Sequence, residues 1–293
     1  MSASIGQRMK ISPNSLLRII VPHFRTPSTE PVPPQYLYRY LSINSKYHQR
    51  IITKSSLYLS SVQQLNDPFE GRIYPLLNYS KQQMLEIVCR QAAKLRSAGQ
   101  FAAAEKMRTE GIRNVEIAFQ SESTKTQLFE SMISGAHSNP DFPVNRTGVV
   151  CFSETNDNIL MWSHYSDSHR GYCIQIEPLS DEKIWKSLYK VSYADEYPRF
   201  VFESSSDHTA WREMIATKSV HWRYEREWRL LGTDLVGKEI RYAPALLTGV
   251  IFGCLTADED KRKIRHWASG LSLRYFEAKR KAREFGLDIV PIE

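Results

Sequence analysis

The sequence predicts an α+β fold: a central mixed or antiparallel β-sheet with flanking helices and a helical insertion at about residues 80–137. Three observations carry this. Short apolar or alternating runs recur from Leu37 to Ile292, at lengths typical of strands and bounded by turn residues. Residues 80–137 break that pattern, with Gln, Lys, Glu, Ala and Arg around apolar residues at helical spacing. A composition 42% hydrophobic and 24% charged is that of a globular chain able to bury a sizeable core.

Residues 1–35 read as a leader that ends in a Pro-rich linker over 26–34, and a single domain is expected from 36 to 293. Leu37-Tyr38-Arg39-Tyr40-Leu41 alternates as a strand, with Tyr38 and Tyr40 facing one way and Arg39 the other. A short helix over 46–53 and a strand over 57–61 follow. Asn66-Asp67-Pro68-Phe69-Glu70-Gly71 is turn chemistry: Asx side chains bond their own backbone, and the residue before proline leaves the α region. It is either a plain turn or a polar loop that presents Asp67 and Glu70 into a cleft with Phe69 as its anchor.

In the insertion, Met84, Leu85, Val88, Ala92 and Leu95 form one helical stripe. Phe101, Ala104, Met107 and Ile112 form a second after a break at Ser97-Ala98-Gly99, and Leu128, Phe129, Met132 and Ile133 a third. The insertion reads as a scaffold or lid. Residues 148–153 form a buried, nearly all-apolar strand. It runs into the polar cluster 154–158, which caps a helix carrying Trp162, His164 and Tyr165. A strand over 171–177 comes next. Ser180 is read as the cap of a helix with Ile184, Trp185 and Leu188, and 191–193 as a short strand. Residues 207–219 are expected as one helix with Trp211, Met214 and Ile215 inward.

The densest chemistry lies in His221-Trp222-Arg223-Tyr224-Glu225-Arg226-Glu227-Trp228-Arg229-Leu230-Leu231. Read as a strand, it puts Tyr224, Arg226, Trp228 and Leu230 on one face and Glu225, Glu227 and Arg229 on the other. Two carboxylates one pleat apart lie about 6.5–7 Å apart at Cα. Like charges so placed need a cation or a polar ligand, which Arg229 supplies only in part. Two readings stay open: a solvated edge strand with a charge ladder, or a pair of acids that serves a ligand.

Strands over 239–242 and 247–252 follow, then Thr256-Ala257-Asp258-Glu259, read as a capping box. The helix it opens carries Lys261, Arg262, Lys263 and Arg265. Strands over 273–278 and 287–292 close the chain, joined by the basic run Lys279-Arg280-Lys281-Ala282-Arg283.

Lys and Arg number 39 against 32 Asp and Glu, a moderate basic surplus that favours anionic partners: a nucleotide, a phosphorylated substrate or a nucleic acid. Cys89, Cys151, Cys173 and Cys254 show no CxxC spacing, which argues against a zinc ribbon or disulfide framework and fits a reducing cytosol. No apolar run reaches membrane-spanning length, so no membrane partner is expected.

Four words in series resemble one family: Tyr38-Arg39-Tyr40; residues 57–61 with Asn66-Asp67-Pro68-Phe69-Glu70; Cys151-Phe152-Ser153 with Leu160-Met161-Trp162-Ser163-His164-Tyr165; and residues 222–229. Together they look like domain-of-unknown-function family 2971. That resemblance implies a bacterial or phage-related cytoplasmic protein and no settled activity. More distantly, the layout looks like an ADP-ribosyltransferase, a split β-sheet that grips NAD in a cleft. In that likeness Arg39 matches the early basic residue, Ser153 or Tyr58 the middle position, and Glu225 and Glu227 the late Glu-x-Glu. The sequence departs from it in lacking His-Gly-Thr on the first strand.

The resemblance implies NAD as a substrate, no metal, and a role as a toxin or phage-defence effector. Glu227 would then stabilise the cationic ribose as the nicotinamide bond breaks, and Glu225 would orient the acceptor or act as its base. Arg39 would bind pyrophosphate or ribose hydroxyls, and Tyr58 or Trp162 would stack on nicotinamide. Asp67 and Glu70 would line the rim, and Tyr38, Asn66, His164 and Arg229 complete the candidate binding set. Two other classes stand beside this one. A metal-dependent hydrolase or nuclease would draw on Asp67, Glu70, Glu225, Glu227, His164 and His169. Against it, His164 sits among aromatics and reads as a satisfied core residue. A non-enzymatic module would bind nucleic acid or protein through Lys261–Arg265 and Lys279–Arg283, runs that otherwise read as solvated faces.

Overall fold

The computed structural model describes residues 31–72, 74–75, 79–140, 142–200 and 208–293. The leader expected over 1–35 lies outside these residues up to position 30. The chain begins with β1 (Leu37–Leu41), α1 (Lys46–Lys54), β2 (Ser56–Tyr58) and β3 (Tyr74–Pro75), then α2 (Lys81–Ser97), α3 (Phe101–Ala118), α4 (Glu122–Ser138) and α5 (Pro143–Arg146). Next come β4 (Thr147–Ser153), α6 (Ile159–Tyr165), β5 (Tyr172–Ile176), α7 (Glu182–Trp185), β6 (Leu188–Lys190), β7 (Ser192–Ala194) and β8 (Arg199–Phe200). The last part holds α8 (His208–Ala216), β9 (Thr217–Ser219), β10 (Glu227–Thr233), β11 (Glu239–Arg241), β12 (Leu247–Phe252), α9 (Asp258–Trp267), β13 (Arg274–Arg280) and β14 (Leu287–Ile292).

This is an α+β architecture, as expected. Eight strands form one mixed sheet in the order β14-β13-β12-β5-β1-β4-β10-β6, antiparallel except for the β12–β13 pair. One face carries Leu37, Leu41, Phe152, Ile174, Trp228 and Phe252 against Ile51 and Ile52 of α1 and Ile264 of α9. The other face holds two apolar patches. Tyr40, Cys173 and Ile251 pack on Met161 and Trp162 of α6, while Val149 and Leu231 pack on Met214 and Ile215 of α8. Cys151, Ser153, Glu227 and Arg229 share that face, because Glu227 pairs with Ser153, Arg229 with Cys151 and Leu231 with Val149. Polar chemistry therefore occupies the middle of a face that is apolar at either side.

The insertion forms α2, α3 and α4 around its own core of Met84, Ile87, Val115 and Phe129. Phe101 and Met107, read as part of the second helical stripe, are exposed, and the side chains of Met132 and Ile133 lie outside the described residues, as does that of Trp211. Two caps differ from expectation. Asp181, not Ser180, accepts from the first amides of α7. Ala257 stands at the N-cap of α9, and the Thr256 hydroxyl is drawn away to the Gly171 carbonyl at 2.6 Å. The competing acceptor is buried backbone, which must be satisfied.

That bond belongs to a tight crossing. After α6, Asp167, Ser168 and His169 all take positive φ, and the loop then passes beneath the end of β12. Gly253 donates to the Gly171 carbonyl at 3.1 Å and Leu255 to that of His169 at 3.1 Å. A Cβ on Gly253 would lie 2.2 Å from the His169 carbonyl oxygen, and backbone cannot step aside as a side chain can. Gly253→Ala is expected to destabilise the fold by about 1–3 kcal/mol, read as a lower urea midpoint with an unchanged m-value.

Candidate functional site

The site is built where the sheet comes apart. β1 is fully paired with β5 on one side, from Leu37–Ile176 to Leu41–Tyr172, but meets β4 at a single rung, Tyr38 with Ser153. Arg39 projects to the opposite side from Tyr38 and Tyr40, as alternation requires, and reaches the seam. Its guanidinium donates to the Cys151 carbonyl at 3.3 Å. On the β4 side, Ser60 forms an isolated bridge with Val149.

The stretch from His221 to Leu231 is not one strand. Val220–Glu225 is a 3₁₀ turn, Arg226 switches to a left-handed backbone at φ 46°, and only then does β10 begin at Glu227. The expected face of Tyr224, Arg226, Trp228 and Leu230 is thus correct only for Trp228 and Leu230. Side-chain and backbone bonds override strand propensity here. The Glu154 carboxylate meets Arg226 at 3.0 Å and accepts from the Trp228 indole at 2.9 Å, while Ser153 Oγ donates to the Glu225 carbonyl at 2.6 Å. The left-handed switch brings Glu225 round to the side of Glu227.

What both acids converge on is Lys218. The expected helix over 207–219 stops at Ala216, and Lys218 sits on β9, whose parallel partner is β7, with Lys218 beside Tyr193. Its ammonium lies 2.6 Å from Glu225 Oε2, 3.2 Å from Glu227 Oε2 and 3.3 Å from Glu70 Oε1. Trp222 covers it at 4.8 Å from the ring centroid. Arg229, wholly buried, grips Glu227 through Nε at 2.8 Å and Nη2 at 3.0 Å, contacts Glu70 and donates to the Ile215 carbonyl. Glu70 meets these two cations by charge, without an aligned hydrogen bond. Tyr165 donates to Glu225 Oε1 at 2.7 Å and accepts from Asn66 Nδ2 at 2.7 Å.

The two acids differ in their electrostatics. Burial alone would push Glu227 up, but Arg229 and Lys218 outweigh it and hold the carboxyl below its ordinary range. For Glu225, burial raises the pKa, Lys218 pulls it back and the Glu227 charge adds to the rise, with a net upward shift. Burial opposes the charge on Lys218, yet Glu227, Glu70 and Glu225 prevail and keep it protonated. The Tyr165 hydroxyl, raised by burial and by facing Glu225, stays a donor.

A cavity of about 260 Å³ opens against this cluster, walled by Tyr38, Arg39, Ser153, Tyr165, Glu225 and Glu227, with His48, Asn66 and Met161 further round. Arg39 and the paired acids therefore face one hollow. A second hollow of about 710 Å³ shares Glu70 and Lys218 as its wall and is lined among the described residues by Asp67, Phe69, Arg72 and Tyr197. The charged cluster is the partition between the two.

Several expected site residues lie elsewhere. Tyr58 pairs with Glu239 in the small β2–β11 sheet, with its ring 4.9 Å from that of Tyr47, and is not among the cavity's lining residues. Trp162 is core: it packs edge-on against Tyr40 and its indole donates to the Asn156 carbonyl at 2.8 Å, so it has no face to offer a ligand. His164, weighed both as a binding residue and as a core residue, is exposed on α6 and is not among the cavity's lining residues. Glu70, expected at a rim, is buried, whereas Phe69, expected as an anchor, is 60% exposed. Asp67 is a turn residue, accepting from the Phe69 amide at 2.9 Å, and faces the larger hollow. Of the two middle-position candidates, Ser153 lines the cavity. Lys218, Tyr165, Tyr193 and His48 were not singled out from the sequence as parts of a site.

For a metal, the arrangement is unfavourable on chemical grounds. Among the described residues, no group of three His, Cys, Asp or Glu is placed to hold an ion. Where Glu70, Glu225 and Glu227 meet, an ammonium already takes the cation's position.

Residues 161–230 match the model of the family described as "Protein of unknown function (DUF2971)". This bears out the family resemblance over that segment, which runs from α6 into β10 and contains Tyr165, Lys218, Glu225, Glu227 and Arg229. No curated protein and no solved structure matches the chain. No helix among the described residues is long and apolar enough to cross a membrane.

Removing the ammonium leaves three buried carboxylates facing one guanidinium. Lys218→Met is expected to cost about 3–5 kcal/mol in chemical denaturation, the range for breaking a buried ion pair from one side. A second expectation concerns His48, whose ring is pushed down to about 4, first by burial, then by the Arg39 charge, against the pull of the Ser42 carbonyl. The unfolded ring titrates near 6.5, so between these values the unfolded chain binds more protons. Stability from this group is complete above about pH 6.5 and is lost as pH falls through about 4. Urea unfolding of His48→Gln at about pH 7 and about pH 4.5 is expected to show a shallower acid loss than the parent protein.

Proposed function

We propose that the cavity beside Glu225 and Glu227 holds the nicotinamide-ribose end of NAD and that the protein cleaves that bond, transferring ADP-ribose to water or to another acceptor. The observation that carries this reading is that Arg39 and both glutamates line one hollow. At about 260 Å³ it falls just below the roughly 300–1,000 Å³ typical of sites for drug-sized ligands, so it suits one end of a dinucleotide.

The opposed electrostatics of the two acids fit the chemistry. As the nicotinamide–ribose bond breaks, its electron pair leaves with nicotinamide and positive charge develops on the ribose. Glu227, kept anionic by Arg229 and Lys218 and unable to swing away, supplies negative charge already in position. Glu225, raised by burial, takes the proton of the acceptor as it bonds to the ribose carbon. Tyr165 fixes the Glu225 carboxylate, Ser153 holds the Glu225 backbone, Tyr38 offers a hydroxyl to the sugar, and Arg39 attracts the phosphate side. A bacterial or phage-related effector that consumes or transfers ADP-ribose in the cytoplasm accords with this chemistry.

Incubation with NAD labelled in the nicotinamide ring is expected to release labelled nicotinamide. Glu225→Gln, which keeps the shape but turns one of the two oxygens met by Tyr165 and Lys218 into an amide donor, is expected to slow release by about 10²–10⁴-fold, compared on protein whose circular dichroism shows it folded. Absence of NAD binding by calorimetry together with absence of release overturns the reading.

A further inference from the structure

The basic surplus of the chain is unevenly used. On α9, Lys261 is paired with Glu277 at 2.6 Å and Asp258 at 3.3 Å. Arg265 stacks 4.2 Å from the Tyr275 ring centroid and donates to the Glu293 carbonyl, and Lys263 lies 5.5 Å from that of Trp267. Lys261 and Arg265 are engaged in fixing the helix to the sheet, and Lys263 packs along the helix itself. The β13–β14 hairpin is different. Among the described residues, no carboxylate is ion-paired with Lys279, Arg280 or Arg283, and all three are exposed.

The tip is nevertheless well defined. Lys279 is in register with Asp288 and Arg280 with Leu287, Lys281 donates to the Gly286 carbonyl at 3.1 Å, and its ammonium folds back to Glu284 at 2.9 Å. On this pinned turn stands Phe285, whose side chain is as exposed as an isolated residue, at 101%. An aromatic ring held fully in water has no folding role to explain it, since burial is what a phenylalanine contributes to stability.

We infer that the tip of this hairpin is a docking site for single-stranded nucleic acid, with Phe285 stacking on a base and Lys279, Arg280 and Arg283 neutralising the flanking phosphates. A flat ring framed by cations is the combination by which single strands are held without sequence preference: bases stack on the aromatic face and the backbone follows the positive charge. The proposal commits to a single strand rather than a duplex because stacking needs an unpaired base face. It commits to nucleic acid rather than an anionic membrane because one phenylalanine presents too little apolar area for stable interfacial anchoring. Four strand spacings, about 19 Å, separate β14 from β1 beside the cavity, so the docking surface is independent of the NAD reading.

Fluorescence anisotropy with a labelled oligo-dT strand of about 20 nucleotides, at low and near-physiological salt, tests this. The full-length protein is expected to bind with an affinity that falls as salt rises. Phe285→Ala is expected to weaken binding roughly 5- to 100-fold. Arg280→Gln combined with Arg283→Gln is expected to reduce the log–log salt slope by about 1.4, two phosphate contacts on a single strand. Both sets of changes lie on exposed positions and are expected to leave the melting temperature unchanged. Equal binding by the parent protein and Phe285→Ala overturns the proposal. So does an absence of binding at low salt, or a Phe285-dependent association with phosphatidylserine vesicles without association with the oligonucleotide.

Discussion

Burying Lys218 among Glu70, Glu225 and Glu227 takes four charges out of water at once, and Arg229 behind them adds a fifth. In a medium of low dielectric each isolated ion is costly by several kcal/mol, and only close mutual contact offsets that cost. The fold is arranged to supply the contacts. β9 pairs with β7 to set Lys218 in place, the left-handed Arg226 turns Glu225 inward, and the Asn-Asp-Pro turn closes Glu70 over the far side. Removing either cation leaves three carboxylates facing a single positive charge, and their contacts tie segments distant in sequence into one unit.

Sharing two cations among three carboxylates has a chemical consequence for the two glutamates. Had they shared a site alone, mutual repulsion would have kept one of them protonated. With two cations asymmetrically placed, Arg229 favours Glu227 and leaves Glu225 the weaker acid. Two residues of the same type, two positions apart, are thereby given distinct behaviour by their surroundings.

Much of this was legible in the amino-acid order. Alternation placed Tyr38, Tyr40 and Arg39 on their correct sides, and the apolar run at 148–153 and the strand at 247–252 are strands. The repulsion between Glu225 and Glu227 required a cation, and one exists. What could not be read locally was its source. Lys218 lies in a segment whose spacing continues a helix, and only tertiary pairing with β7 turns it into a strand. The same limit explains Trp162 and His164. Helical spacing groups them with Tyr165, but which side of a seven-residue helix faces the sheet depends on the strands beneath it. Of the three, Tyr165 reaches the acids, Trp162 fills the core, and His164 meets solvent.

β1 and β4 are joined by a single backbone rung. Elsewhere in the sheet, ladders of several residues lock neighbouring strands, so that sliding or parting them means breaking many bonds together. Across this seam the backbone pairs only once, and the Arg39 guanidinium on the Cys151 carbonyl, the Tyr40 hydroxyl on the Thr155 carbonyl and the shared apolar core do the rest of the joining. The backbone ladder of the sheet is thus thinnest along one line, like a crease in card. Since the hollow lies on that crease, with Tyr38 and Arg39 on one side and Ser153 and Glu227 on the other, a rotation of one half against the other would set its width.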